Sequence, residues 1–219
     1  MNKTFHQTAP IIALKMMPEN FQAFLISGEY TIQNLQTDAD IPDLVDKDNI
    51  TQNAEIHHAH SYKLEFQEGK LHWIDGDCLE RIKAICADIH DFYKENKLDM
   101  VRYSLAKVTH YRIDALTYPH LHQGKPWSLY HTKFEDEIGE FIYHNQDKIK
   151  QIKFQPYKHI YKECRKTAIQ MWYEGKNIVE KYENNIRLTD EEKLSICNKC
   201  IESVGDLWIT LMQELKFKE

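Results

Sequence analysis

At 219 residues, 42% hydrophobic and 28% charged, the chain has the size and balance of one ordinary globular domain, which excludes a disordered protein. A formal net charge of −6 excludes the broad basic surface of a sequence-independent duplex binder, so no stable duplex nucleic-acid binding is expected. It does not exclude an enzyme that cuts nucleic acid, because bound metal ions would make the local field positive.

Seven glycines and six prolines allow few tight turns and favour helices, and twelve histidines are the compositional outlier. Residues 8–17 and 20–35 read as short helices separated by Pro18, with Ile11, Ile12, Leu14, Phe21, Phe24 and Leu25 as apolar anchors. Residues 36–59 are polar, rich in Asp and Asn, and read as a long loop. Residues 62–74 alternate apolar and polar side chains around Gly69 and predict a small hairpin.

Further helices are expected at 77–96, where Leu79, Ile82, Ile85 and Ile89 share a face, and at 99–116, where Val101, Leu105, Val108 and Ile113 do. Pro119 should end the second of these, since it lacks an amide hydrogen and disfavours helical geometry at Tyr118. Helices at 132–150, 157–184 and 190–216 follow, the last opened by the capping box Thr189-x-x-Glu192. The expected fold is a single all-α domain over residues 1–219.

The five cysteines are odd in number and lack the spacing of a disulfide scaffold. Cys197 and Cys200 read as two thiols one turn apart on a helix. The apolar stretch near the N-terminus is interrupted by Lys15 and Pro18, too short for a signal peptide, and no run reaches transmembrane length. A cytoplasmic location is the default expectation, with signal-independent export open.

The histidines are concentrated. His110 and Asp114 stand four apart on a predicted helix and so share a face; His120 follows the Pro119 turn, and His131 and Glu135 are again four apart. The spacing H-x3-D-x5-H-x10-H-x3-E offers five imidazole and carboxylate ligands, a set suited to Zn²⁺. One His/acid pair alone is more often a solvated surface pair on a helix. Two pairs flanking a third histidine favour a metal. His122 lies off this spacing and reads as an exposed loop residue.

The run His110-Tyr111-x-x-Asp114-x5-His120, followed by His131-x3-Glu135, resembles the core signature of the zinc-dependent phospholipase C and S1/P1 nuclease superfamily. The resemblance implies an all-helical enzyme of the phospholipase C/P1 nuclease type that hydrolyses phosphate esters with two or three Zn²⁺ ions. It implies that His110 and Asp114 serve a pair of zincs, and that His120, His131 and Glu135 hold a separate one. A terminal Glu is more like the phospholipases. The family usually has Gly or Thr where Ile113 stands, and its proline lies two residues before the third ligand.

Three further ligands are implied upstream: a histidine opening the first helix, met by His6; an aspartate in a loop, met by Asp43; and a later histidine. For the last, His57, His58, His60 and His72 compete, and His60 is preferred for its His-x-Tyr context. Secreted members complete one zinc with a mature N-terminal Trp; here only the Met1 amine, five residues before His6, could substitute. The resemblance makes Asp43 the orienter or general base for water and a phospholipid or other phosphate ester the substrate. An amine head group would call on Tyr62, Phe66, Trp73 or Trp127. Two alternatives are an S1/P1-type nuclease or nucleotidase and a catalytically silent metal-binding helical protein.

Overall fold

Thr4 caps the first helix, α1 (Phe5–Met16), its Oγ1 accepting from the Gln7 amide at 3.2 Å. That cap starts α1 ahead of the expected residue 8 and brings His6 into its first turn. The computed structural model describes residues 4–48, 59–122 and 127–217.

The expected helix 20–35 is two helices. α2 (Glu19–Leu25) ends at a turn in which Gly28 has φ +62°, a left-handed conformation suited to glycine. Arg102 fixes that turn, donating from Nε to Phe24 O at 2.9 Å and from Nη2 to Ser27 Oγ at 2.6 Å.

The expected loop from residue 36 is helical through Asp48. α3 (Ile32–Asp48) carries Pro42 inside it. Thr31 and Asn34 cap its start reciprocally: the Asn34 amide donates to Thr31 Oγ1 at 3.3 Å, and the Thr31 amide donates to Asn34 Oδ1 at 2.9 Å. Buried Leu35 and Ala39 seat the helix on the core. Asp43 therefore lies on a helix rather than in a loop.

The hairpin forms as expected. β1 (Lys63–Gln67) pairs antiparallel with β2 (Lys70–Asp75), and Glu68 and Gly69, both at positive φ, make the two-residue turn. α4 (Cys78–Lys94) and α5 (Leu98–Asp114) follow. From Ser104 to Asp114, α5 is buried apart from Lys107, as befits a helix enclosed on nearly every side.

Its end is set by a turn at 115–117 rather than by Pro119, which sits in the first turn of the short helix α6 (Tyr118–Leu121). α7 (Trp127–His144) begins earlier and stops sooner than expected, followed by a 3₁₀ turn at Gln146–Lys148. α8 (Ile160–Glu183) and α9 (Asp190–Glu214) close the chain, and α9 opens with the expected capping box.

The architecture among the described residues is mostly helical, with one two-stranded sheet. One shared core draws on α1, α4, α5, α7, α8 and α9. Trp208 of α9, fully buried, donates to Leu105 O of α5 at 3.0 Å. All five cysteines are free and buried, so Cys197 and Cys200 are packing thiols of α9. Among the described residues, no helix is long and apolar enough to cross a membrane.

Candidate metal centre

α5 places His110 and Asp114 one turn apart, and both are fully buried. A buried imidazole and a buried carboxylate must be matched by partners. His110 Nδ1 donates to the Ala39 carbonyl of α3 at 2.8 Å. A carbonyl only accepts, so this bond puts a ring proton on Nδ1 and leaves Nε2 as the nitrogen that would take a metal.

Around His110 Nε2 stand His60 Nδ1 at 3.1 Å, Asp114 Oδ2 at 3.3 Å and Asp43 Oδ1 at 3.5 Å. Asp114 spans the centre. Its Oδ2 is 2.8 Å from His60 Nδ1, and its Oδ1 is 3.3 Å from both His6 Nε2 and His120 Nε2. The His6 ring stacks on His110, with centroids 3.9 Å apart.

α7 contributes His131 and Glu135, with His131 Nε2 2.8 Å from Glu135 Oε1. His131 Nε2 also lies 3.1 Å from His120 Nε2, and Glu135 Oε1 lies 3.3 Å from His6 Nε2. Three ligand sets result: His6, His110 and Asp114; Asp43, His60 and His110; and His120, His131 and Glu135. Within each set the ligand atoms lie within 4.8 Å of one another.

The fields are strong. Burial opposes charge on His110, but Asp114 and Asp43 together hold its pKa well above the ordinary imidazole value. Burial likewise opposes ionisation of Asp114 and Glu135. The surrounding histidines nevertheless keep both carboxyls well below the usual carboxylate range, His120 and His110 chiefly for Asp114 and bonds to His120, His131 and His6 for Glu135. Asp43 is held below that range too, by His110 and His6 against its burial. Burial pushes His120 down to about 4 despite the neighbouring carboxylates.

The donor set fits a divalent cation. Imidazole nitrogens face one another in two pairs at 3.1 Å, which turns ring lone pairs as well as N–H groups into the centre. Asp114 Oδ1 is buried and accepts no hydrogen bond. Nitrogen and carboxylate donors converging at these distances suit Zn²⁺.

All eight residues named from the sequence come together: His6, Asp43, His60, His110, Asp114, His120, His131 and Glu135. His72 does not, being exposed on β2 opposite Glu65. His57, His58 and Met1 lie outside the described residues. His122 is not an exposed loop residue: its ring stacks on Trp172 with centroids 5.0 Å and planes 14° apart. The separation into a paired and a lone set is partial, since Asp114 touches His6 and His120 with one oxygen.

Sequence reasoning missed the supporting groups. The Ala39 carbonyl carries no side-chain signal. Asp40, one turn before Asp43, accepts from Thr4 Oγ1 at 2.9 Å and from Gln7 Nε2 at 3.1 Å, tying the start of α1 to α3. Lys63 carries no signal in the sequence beyond its place in the predicted hairpin 62–74. Compared with known protein families and with curated proteins, the chain matches none.

Proposed function

We propose that this chain is a zinc-dependent phosphate-ester hydrolase, most similar in design to phospholipase C, with a centre for two or three Zn²⁺ ions. The observation that carries this reading is the convergence of five imidazoles and three carboxylates from α1, α3, α5, α6, α7 and the segment that leads into the hairpin. Zinc bound there would supply Lewis-acid neutralisation of phosphoryl oxygens and would acidify a coordinated water towards neutrality.

The protein's own groups divide the remaining work. His110, His60 and Asp114 form the dry floor. Asp43 is the carboxylate at the mouth, its side chain 27% exposed against 1% for Asp114. Held ionised by His110 and His6, Asp43 can accept a hydrogen bond from an attacking water and orient it, the lowered pKa favouring the orienting role over that of general base. His120, His131 and Glu135 would hold the separate zinc.

Of the aromatics expected to serve an amine head group, Tyr62 and Trp73 line a cavity of about 380 Å³ together with Asp77, Glu80, Tyr161 and Arg165. Arg165 already places a cation there, so the head-group reading gains nothing from this cavity. Phe66 lies outside its lining and instead meets Lys176. The side chain of Trp127 lies outside the described residues.

Metal analysis with hydrolysis of a chromogenic phosphodiester tests the proposal. At least two zincs per chain and zinc-dependent turnover are expected, and His131→Ala should lose metal and activity together. Fewer than two zincs with no turnover, or full activity in that variant, would reject it. Phosphatidylcholine, other phospholipids and single-stranded DNA then separate phospholipase from nuclease.

A further inference from the structure

His120 is presented by α6, a helix of four residues, too short to hold a ligand rigidly by its own hydrogen bonds. It is held from outside by the strand that follows His60. The Tyr62 amide donates to the His120 carbonyl at 3.0 Å, and Leu64 bridges to His122 in parallel. Between them, Lys63 Nζ donates to Pro119 O at 2.5 Å and to His122 O at 2.8 Å. Those two carbonyls bracket His120. Trp172 completes the clamp, donating from Nε1 to Leu64 O at 3.0 Å while its face supports the His122 ring.

We infer that Lys63 is a positioning residue of the metal centre, its ammonium fixing the His120 turn relative to His60. The inference rests on the metal-centre reading above. It gives the small hairpin a purpose in an otherwise helical protein. Residues 60–64 supply one ligand directly and hold a second, linking the set containing His60 to the set containing His120.

A packing role alone does not account for a lysine here. Lys63 is half-buried with its Nζ turned onto two carbonyls, and burial pushes its pKa down to about 7 against the attraction of Asp75. Methionine would fill the same space without that desolvation. What methionine lacks is a pair of donors for the carbonyls on either side of the ligand.

The test uses the full chain, stripped of metal and titrated with Zn²⁺ against a chromophoric chelator. His131→Ala serves as the reference that marks which class of sites belongs to the His120 set. Lys63→Met should weaken that class by about 10- to 100-fold, the usual effect of removing a group that orients a ligand. The other class and the melting temperature of the metal-free protein should not change. Lys63→Arg, which keeps donors for both carbonyls, should recover much of the loss.

If Lys63→Met misfolds, Lys63→Gln carries the same expectation of selective weakening. Isotherms that superimpose on the wild type would overturn the inference while leaving the metal centre standing. So would a loss spread over all classes with a fallen melting temperature, or an Arg variant as weak as Met. No zinc binding by the wild type would remove both readings together.

Discussion

His122 shows how one side chain records its surroundings. Its ring lies on Trp172, and its pKa is pushed down to about 4, first by burial and then by the Lys63 and Lys176 charges, against a bond with the Trp172 backbone. An unfolded histidine titrates near 6.5. Between pH ~6.5 and about 4 the unfolded chain therefore binds a proton that the folded chain refuses, so stability falls as pH falls through that window. His120 in the metal-free protein has the same sign.

The other site groups act elsewhere. Asp114 and Glu135, held low, give up stability only below the ordinary carboxylate range, and His110, held high, only as pH rises through its elevated value. His122→Phe keeps an aromatic ring on Trp172 and removes the titration. In metal-free protein, its denaturant stability should decline less steeply from pH 6.5 to 4 than that of the wild type. Equal slopes would reject the assignment.

At the scale of the elements, the junction between hairpin and α4 is as demanding as the ligands. Gly76 has φ +89°, and a Cβ added there would stand 2.1 Å from Ser61 O, the carbonyl that also accepts from the Cys78 amide at 3.1 Å. Ser61 follows His60 directly. Gly76→Ala must either distort that backbone or break the turn, costing roughly 1–3 kcal/mol for the conformation alone. It should lower both the melting temperature and zinc affinity, because the backbone displaced carries His60. A stable variant with unaltered zinc affinity would show that the hairpin junction is dispensable.

Elements with a long apolar stripe, such as α4, α8 and α9, were legible because their periodicity is local. α3 was not. Acidic residues punctuate it, Pro42 interrupts its pattern, and among its described side chains the buried apolar Leu35 and Ala39 are joined by Tyr30 donating to Asp38 at 2.7 Å and by the Thr31–Asn34 cap. The candidate site divides in the same way. His110 with Asp114 and His131 with Glu135 announce themselves by helical spacing. The choice of His60 over His72 depends on which strand end meets α5, a long-range contact that no local pattern encodes.

For the whole molecule, the eight site residues come from segments far apart along the chain. α1, α3, the segment 60–64, α5, α6 and α7 all meet at the cluster, whereas α8 and α9 contribute no ligand. Without a cation, five imidazoles and three carboxylates are confined together at the cost of their hydration. A metal that binds only the folded chain adds about 4 kcal/mol when present at a thousand times its dissociation constant. For a chain of this size that raises the melting temperature by about 10 °C.

Chelation should therefore lower the melting temperature by that order. Zn²⁺ should restore it, and Mg²⁺ should not, because Mg²⁺ prefers oxygen donors and octahedral geometry. The loss should also be uneven. Amide hydrogen exchange after chelation should quicken most in α1, α3 and α7, while α9, held by Trp208 and its apolar face on α5, keeps its protection. Uniform exchange across all helices would mean that the cluster does not organise the fold. An unchanged melting temperature would mean that no cation resides there.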